Sequence, residues 1–119
     1  MRPTRPTAWE YREAGFTALD TGVRLDTPAW VAWLDDPATT SFAYPVYNHP
    51  RGYIEGWMTV RKERRVRGGA YWTAYWRVNG HLRKVYLGRA TAVTDARLRA
   101  IGATWLAQIP TAMDTDAAG

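Results

Sequence analysis

Residues 68–88 read GGAYWTAYWRVNGHLRKVYLG, and no other stretch of the chain restricts the fold so tightly. Alternating runs lie on both sides of Asn79-Gly80, and an Asn-Gly pair in that setting is the strongest short signal for a two-residue hairpin turn, whose central residues need positive φ. The run before it, residues 53–64, alternates in the same way and is set off by Gly68-Gly69. Three antiparallel strands in sequential order are therefore expected, over residues 53–64, 70–78 and 81–87. After Gly88, Thr94 can cap a helix with Asp95 in its first turn, and Leu98, Ile101, Trp105, Leu106 and Ile109 recur at helical spacing up to Pro110. Upstream, Thr27 can cap a short helix that has Pro28 in its first turn and Trp30, Trp33 and Leu34 on one face.

The predicted fold is α+β: a three-stranded antiparallel sheet backed by the C-terminal helix, plus the short N-terminal helix. Residues 41–47, aromatic and broken by Pro45, read as a short fourth edge strand. With 119 residues, 46% of them hydrophobic, the chain supports one core and lacks material for two. The expected organisation is a flexible arm over residues 1–15, one domain over 16–110 and a disordered tail over 111–119.

Charge is concentrated where the strands are. Residues 56–90 hold nine Lys or Arg against the single acid Glu63, a net +8, which leaves −3 for the rest of a chain of +5 overall. A basic, strand-rich element is the electrostatic footprint of a surface that meets a polyanion. Side chains on a strand alternate faces, which puts Tyr71, Thr73, Tyr75 and Arg77 on one side of the middle strand and Trp72, Ala74, Trp76 and Val78 on the other. The Trp-bearing set is the better core, joined by Met58, Val60 and the apolar end of the third strand at Val85 and Leu87. The opposite face then collects Trp57, Arg61, Tyr71, Thr73, Tyr75, Arg77, Lys84 and Tyr86. Lys and Arg neutralise phosphates, Arg reaches base edges, and Tyr stacks or donates. The candidate DNA-binding residues are Arg61, Lys62, Arg64, Tyr71, Thr73, Tyr75, Arg77, Arg83, Lys84, Tyr86 and Arg89, with duplex DNA as the expected partner. A wet sheet face held by cross-strand Tyr, Thr and Arg pairs accounts for the same pattern without a ligand.

A family likeness attaches to the same hairpin. Gly69-Ala70-Tyr71-Trp72-Thr73-Ala74-Tyr75, Asn79-Gly80 and Leu82-Arg83-Lys84-Val85-Tyr86-Leu87-Gly88 resemble the arm-binding domain of tyrosine recombinases and the ethylene-response-type DNA-binding domain. The resemblance implies three strands and a helix with the sheet in the major groove, and Arg77, Lys84 and Tyr86 facing DNA beside Tyr75. No recombinase catalytic domain is expected with it, and Trp76 stands where that pattern often has Arg. A wider likeness runs from Trp30-Val31-Ala32-Trp33-Leu34 through Thr59-Val60-Arg61-Lys62-Glu63-Arg64 to Tyr86-Leu87-Gly88. It resembles a poorly characterised bacterial module associated with mobile elements and with LuxR-type regulators, which implies a regulatory or mobile-element role.

The residues point away from catalysis. Of the two His, His49 lies in a Pro-flanked turn and His81 follows the Asn-Gly turn, neither with a carboxylate or second His at catalytic or metal-ligand spacing. Gly68-Gly69 lacks the Lys-Ser/Thr that a phosphate loop needs. A non-enzymatic protein without cofactor or metal is expected. The chain has no Cys, no apolar leader and no window approaching the ~18 apolar residues of a membrane span, so a cytoplasmic protein that avoids membranes is expected. Seven Trp and seven Tyr exceed what a core of this size hides. Their surplus also fits a protein-interaction surface, for a partner protein or a second copy of the chain, and exposed Tyr keeps RNA or single strands open as ligands.

Overall fold

A computed structural model describes residues 5–64, 67–78 and 80–108. The chain opens with a small hairpin, β1 (Ala8–Tyr11) and β2 (Phe16–Leu19), closed by a turn in which Gly15 takes φ of 80° and donates its N–H to the Tyr11 carbonyl at 2.8 Å. Helix α1 (Pro28–Asp35) follows, and four strands in sequential order then build one antiparallel sheet. These are β3 (Ser41–Asn48), β4 (Tyr53–Arg64), β5 (Ala70–Val78) and β6 (His81–Gly88). A single 3-10 turn at Ala90–Ala92 leads into α2 (Asp95–Ala107).

Both helices begin as their sequences dictate. The Thr27 hydroxyl accepts from the Trp30 N–H at 3.2 Å with Pro28 in the first turn, and the Thr94 hydroxyl accepts from the Arg97 N–H at 3.2 Å. Each cap satisfies an N–H that the helix itself leaves without a partner.

One face of the sheet carries the core. Phe42, Tyr44 and Val46 of β3, Met58 and Val60 of β4, Trp72, Ala74 and Trp76 of β5, and Leu87 of β6 are all buried there. Trp30 and Leu34 of α1 and Leu98, Ile101 and Trp105 of α2 complete the cluster. Trp30 stacks on Trp33, meets Phe42 edge-on and donates its indole N–H to the Val93 carbonyl at 2.8 Å, so its polar atom is satisfied inside an apolar site. Helix α2 packs on the sheet with Gly102 facing Val46 and Met58, each 3.6 Å from the position a Cβ would take.

A polar network ties β1, β3 and α2 together. The Tyr44 hydroxyl donates to Asp95 at 2.5 Å, and the Arg99 guanidinium donates to Glu10 at 3.0 Å and to Asp95 at 3.1 Å. The Glu10 N–H donates to the Tyr47 hydroxyl at 3.0 Å. Burial, and next the hydrogen bond to Asp95, push the Tyr44 phenol far above the usual tyrosine range.

The expected three-stranded sheet backed by the C-terminal helix is incorrect. Residues 41–48 pair with β4 along the whole of β3 and supply three of the largest core side chains, so the sheet has four strands, and a separate two-stranded sheet stands beside it. Pro45 is compatible with β3 because an edge strand tolerates a missing N–H. The first fifteen residues, read as an arm, contain β1, whose Ala8 is fully buried. Thr7 bridges to Ala43 in parallel, and the Ala43 N–H donates to the Pro6 carbonyl at 2.8 Å. Residues 1–4, Arg65, Val66, the turn residue Asn79, the predicted helix end at Ile109-Pro110 and the tail 111–119 lie outside the described residues. Among the described residues no helix is long and apolar enough to cross a membrane.

Candidate nucleic-acid interface

Strand register sets the outer face in rows. One row runs Ser41, Arg61, Thr73, Tyr86 across β3 to β6, and the next runs Ala43, Thr59, Tyr75, Lys84. Pro45 and Trp57 lie together farther along β3 and β4, as do Arg77 and Leu82 on β5 and β6, and Glu63 and Tyr71 pair at the opposite end. Seven of the eleven candidates share this face: Arg61, Tyr71, Thr73, Tyr75, Arg77, Lys84 and Tyr86.

The other four do not share it. Lys62 follows the parity of Met58 and Val60, and its ammonium lies 5.6 Å from the Trp72 ring and donates to the Asp36 carbonyl at 2.9 Å. Burial draws that ammonium below the usual lysine range. Arg64 has the same parity at the exposed end of β4. Arg83 stands opposite Trp76 and donates to Gln108 at 3.1 Å at the end of α2. Arg89 is exposed just beyond β6, where it precedes the 3-10 turn.

An open cleft of about 580 Å³ crosses the outer face. Its lining includes Ser41, Thr59, Arg61, Tyr75, Arg77 and Leu82, Lys62 at one rim, and Arg5 from ahead of β1. The Arg5 guanidinium donates to the Ser41 hydroxyl at 3.2 Å and to the Thr59 hydroxyl at 3.4 Å, which lays it across β3 and β4. Among the described residues, four cations and no carboxylate line the cleft. An oxyanion entering it meets these cations and hydroxyl donors, while the carboxylate of Glu63, bonded to the Tyr75 hydroxyl at 2.8 Å, lies just outside the lining. Arg5 was not legible as a site residue, because its place depends on a contact with Ser41 across 36 positions of sequence.

Tyr75 organises the middle of the face. Arg61 lies over its ring at 5.7 Å, and its hydroxyl donates to Glu63 at 2.8 Å. Thr73, although on the outer face, is only 4% exposed, because it stands between these side chains and also hydrogen-bonds Glu63. Burial raises the Tyr75 phenol above its ordinary range, and the hydrogen bond to Glu63 adds to this. Desolvation pushes the Glu63 carboxyl upward, but hydrogen bonds from Tyr75 and Thr73, with the charges of Arg61 and Lys84, outweigh it and hold Glu63 below the usual carboxylate range. Tyr71 and Tyr86 pack at 5.5 Å beyond Thr73, with Tyr86 half exposed.

A second feature lies at the other end of the face. Trp57 and Trp9 meet edge-to-face at 5.0 Å, and both remain more than a third exposed.

Comparison with known proteins adds one match. A family model described as a domain of unknown function, DUF6788, matches residues 47–99. That span is less than half of the chain and takes in β4, β5, β6 and the first turns of α2, so the chain is similar to this family over the strands that form most of the outer face. No curated protein and no solved structure matches.

Proposed function

We propose that this is a cytoplasmic, non-enzymatic DNA-binding protein that sets the outer face of its four-stranded sheet against duplex DNA. The observation that carries the reading is the cleft that Arg5, Arg61, Lys62 and Arg77 line, with no acid in its lining among the described residues. Arg5, Arg61, Arg77 and Lys84 meet phosphates, and Tyr86 with the half-buried Tyr71 shapes the contact beyond them. The likeness of the β5–β6 hairpin to recombinase arm-binding and ethylene-response-type domains supports duplex DNA as the form bound. The wider likeness to a module of mobile elements and LuxR-type regulators supports a regulatory or mobile-element setting.

Titration of duplex DNA, single-stranded DNA and RNA over a series of salt concentrations tests the proposal. Four phosphate contacts predict that log K falls with log salt at a slope of about −3.6 on duplex DNA, at roughly −0.9 per phosphate. Tighter binding to RNA or to single strands would overturn duplex DNA as the ligand. Absence of salt-dependent binding to any nucleic acid would overturn the reading entirely.

The exposed Trp9–Trp57 pair favours one other reading, a protein-interaction surface, since Trp dominates interface hot spots. Such an interface would respond weakly to salt, which separates it from the DNA reading.

A further inference from the structure

The face proposed for DNA contains an acid, and its chemistry limits what it can touch. Phosphates only accept hydrogen bonds and carry negative charge, so they cannot satisfy Glu63. Among the groups a duplex presents in its major groove, only the exocyclic amines of cytosine and adenine can donate to a carboxylate. A carboxylate covered by DNA without a donor would be a desolvated, unpaired charge, which complexes avoid.

The position of Glu63 suits a contact. It sits on the outer face of β4, two residues beyond Arg61, and pairs across strands with Tyr71. Its Oε2 accepts from the Tyr75 hydroxyl at 2.8 Å, which fixes the side chain. A carboxylate has about four lone-pair sites, so it can accept from Tyr75 and Thr73 and still take a further donor. Arg61 and Lys84 beside it supply the phosphate contacts that would bring a base edge over it.

We propose that Glu63 reads a cytosine, accepting a hydrogen bond from its N4 amine in the major groove. This inference rests on the DNA-binding reading above. Cytosine fits better than adenine because the free N–H of the adenine amine points beside N7, an acceptor that repels the second carboxylate oxygen, whereas the free N–H of the cytosine amine points beside C5–H, with the guanine O6 acceptor on its paired side. The amide of Glu63→Gln keeps an oxygen to accept from Tyr75 and gains an NH2 donor, the combination that pairs with adenine N6 and N7.

The experiment selects bound sequences from a duplex pool randomised over about one helical turn, for the parent chain, Glu63→Gln and Glu63→Ala, with melting curves to establish that each variant folds. The parent should enrich cytosine at one position by roughly tenfold, Glu63→Gln should enrich adenine at that position, and Glu63→Ala should lose the preference there while still binding. A parent that binds duplexes with no cytosine preference, or a Glu63→Gln selection identical to the parent's, would overturn the role of Glu63 and leave DNA binding standing. A parent that retains no duplex would overturn both.

Discussion

Gly56→Ala sets two opposing effects against each other at one position. The backbone of Gly56 lies outside the positive-φ region, so an alanine there reduces the freedom of the unfolded chain and, other things equal, stabilises by about 0.4–1 kcal/mol. Against this, a Cβ at Gly56 would meet the Trp76 ring, 3.0 Å from Nε1, 3.3 Å from Cζ2 and 3.4 Å from Cε2. Relief requires the indole to move, but Trp76 is only 6% exposed, and Trp105 lies 6.0 Å away between ring centres. Overpacking a closed core costs about 1–3 kcal/mol, so the steric term wins and the net loss should be about 0.5–2 kcal/mol. For a domain of this size that is a fall of several degrees in Tm. The assay is thermal or denaturant unfolding of a double-mutant cycle with Trp76→Phe. Trp76→Phe alone destabilises, yet in its smaller ring's presence Gly56→Ala should become neutral or stabilising, giving a coupling of about 1 kcal/mol or more. Strict additivity of the two changes, or a Gly56→Ala chain more stable than the parent, would refute the packing of Trp76 against β4.

Further outcomes follow from the same contacts. Because the folded chain holds the Tyr44 phenol neutral far above its unfolded value near 10, this residue's stability contribution is complete below about pH 10 and is lost as the pH rises beyond it. Tyr44→Phe should therefore lower stability at pH 7 by about 1–3 kcal/mol through the unsatisfied partners it leaves, yet flatten the alkaline limb of a stability-versus-pH curve; an unchanged limb would contradict the buried Tyr44–Asp95 bond. Arg5→Ala should leave Tm within about 2 °C of the parent and reduce the salt slope on duplex DNA by about one. Arg12→Ala is the control, since Arg12 is 75% exposed and faces Glu10 at 3.9 Å away from the cleft, and it should leave the slope unaltered.

Alternation made the faces of the hairpin legible: Trp72, Trp76 and Leu87 are buried and Arg77, Lys84 and Tyr86 point out, as a period of two requires. Both helix starts were readable for a local reason, a Thr cap with Pro28 or Asp95 in the first turn. Lys62 and Arg83 were placed with the site on charge, although their parity with Val60 and Val85 assigns them to the core side, where Trp72 and Gln108 hold them. Residues 41–47 were readable as an edge strand, where Pro45 is tolerated, but that β3 pairs along its length with β4 and buries Phe42, Tyr44 and Val46 rests on non-local partners. The β1–β2 hairpin was hidden because a run of Pro, Thr, Arg and Glu has no period, and its order comes from distant partners such as Ala43 and Arg99. Non-local contacts of this kind also bring Arg5 to the cleft, and no local pattern announces them.

The central claim is that DNA is held through the cations of the outer cleft, and Arg61→Ala/Arg77→Ala tests it most directly. Both side chains are exposed, so the double variant should melt close to the parent. In a duplex titration over several salt concentrations it should bind at least tenfold more weakly at physiological salt, with the slope reduced by about 1.8. A folded double variant that binds duplex DNA as tightly as the parent, with the same slope, would contradict the account.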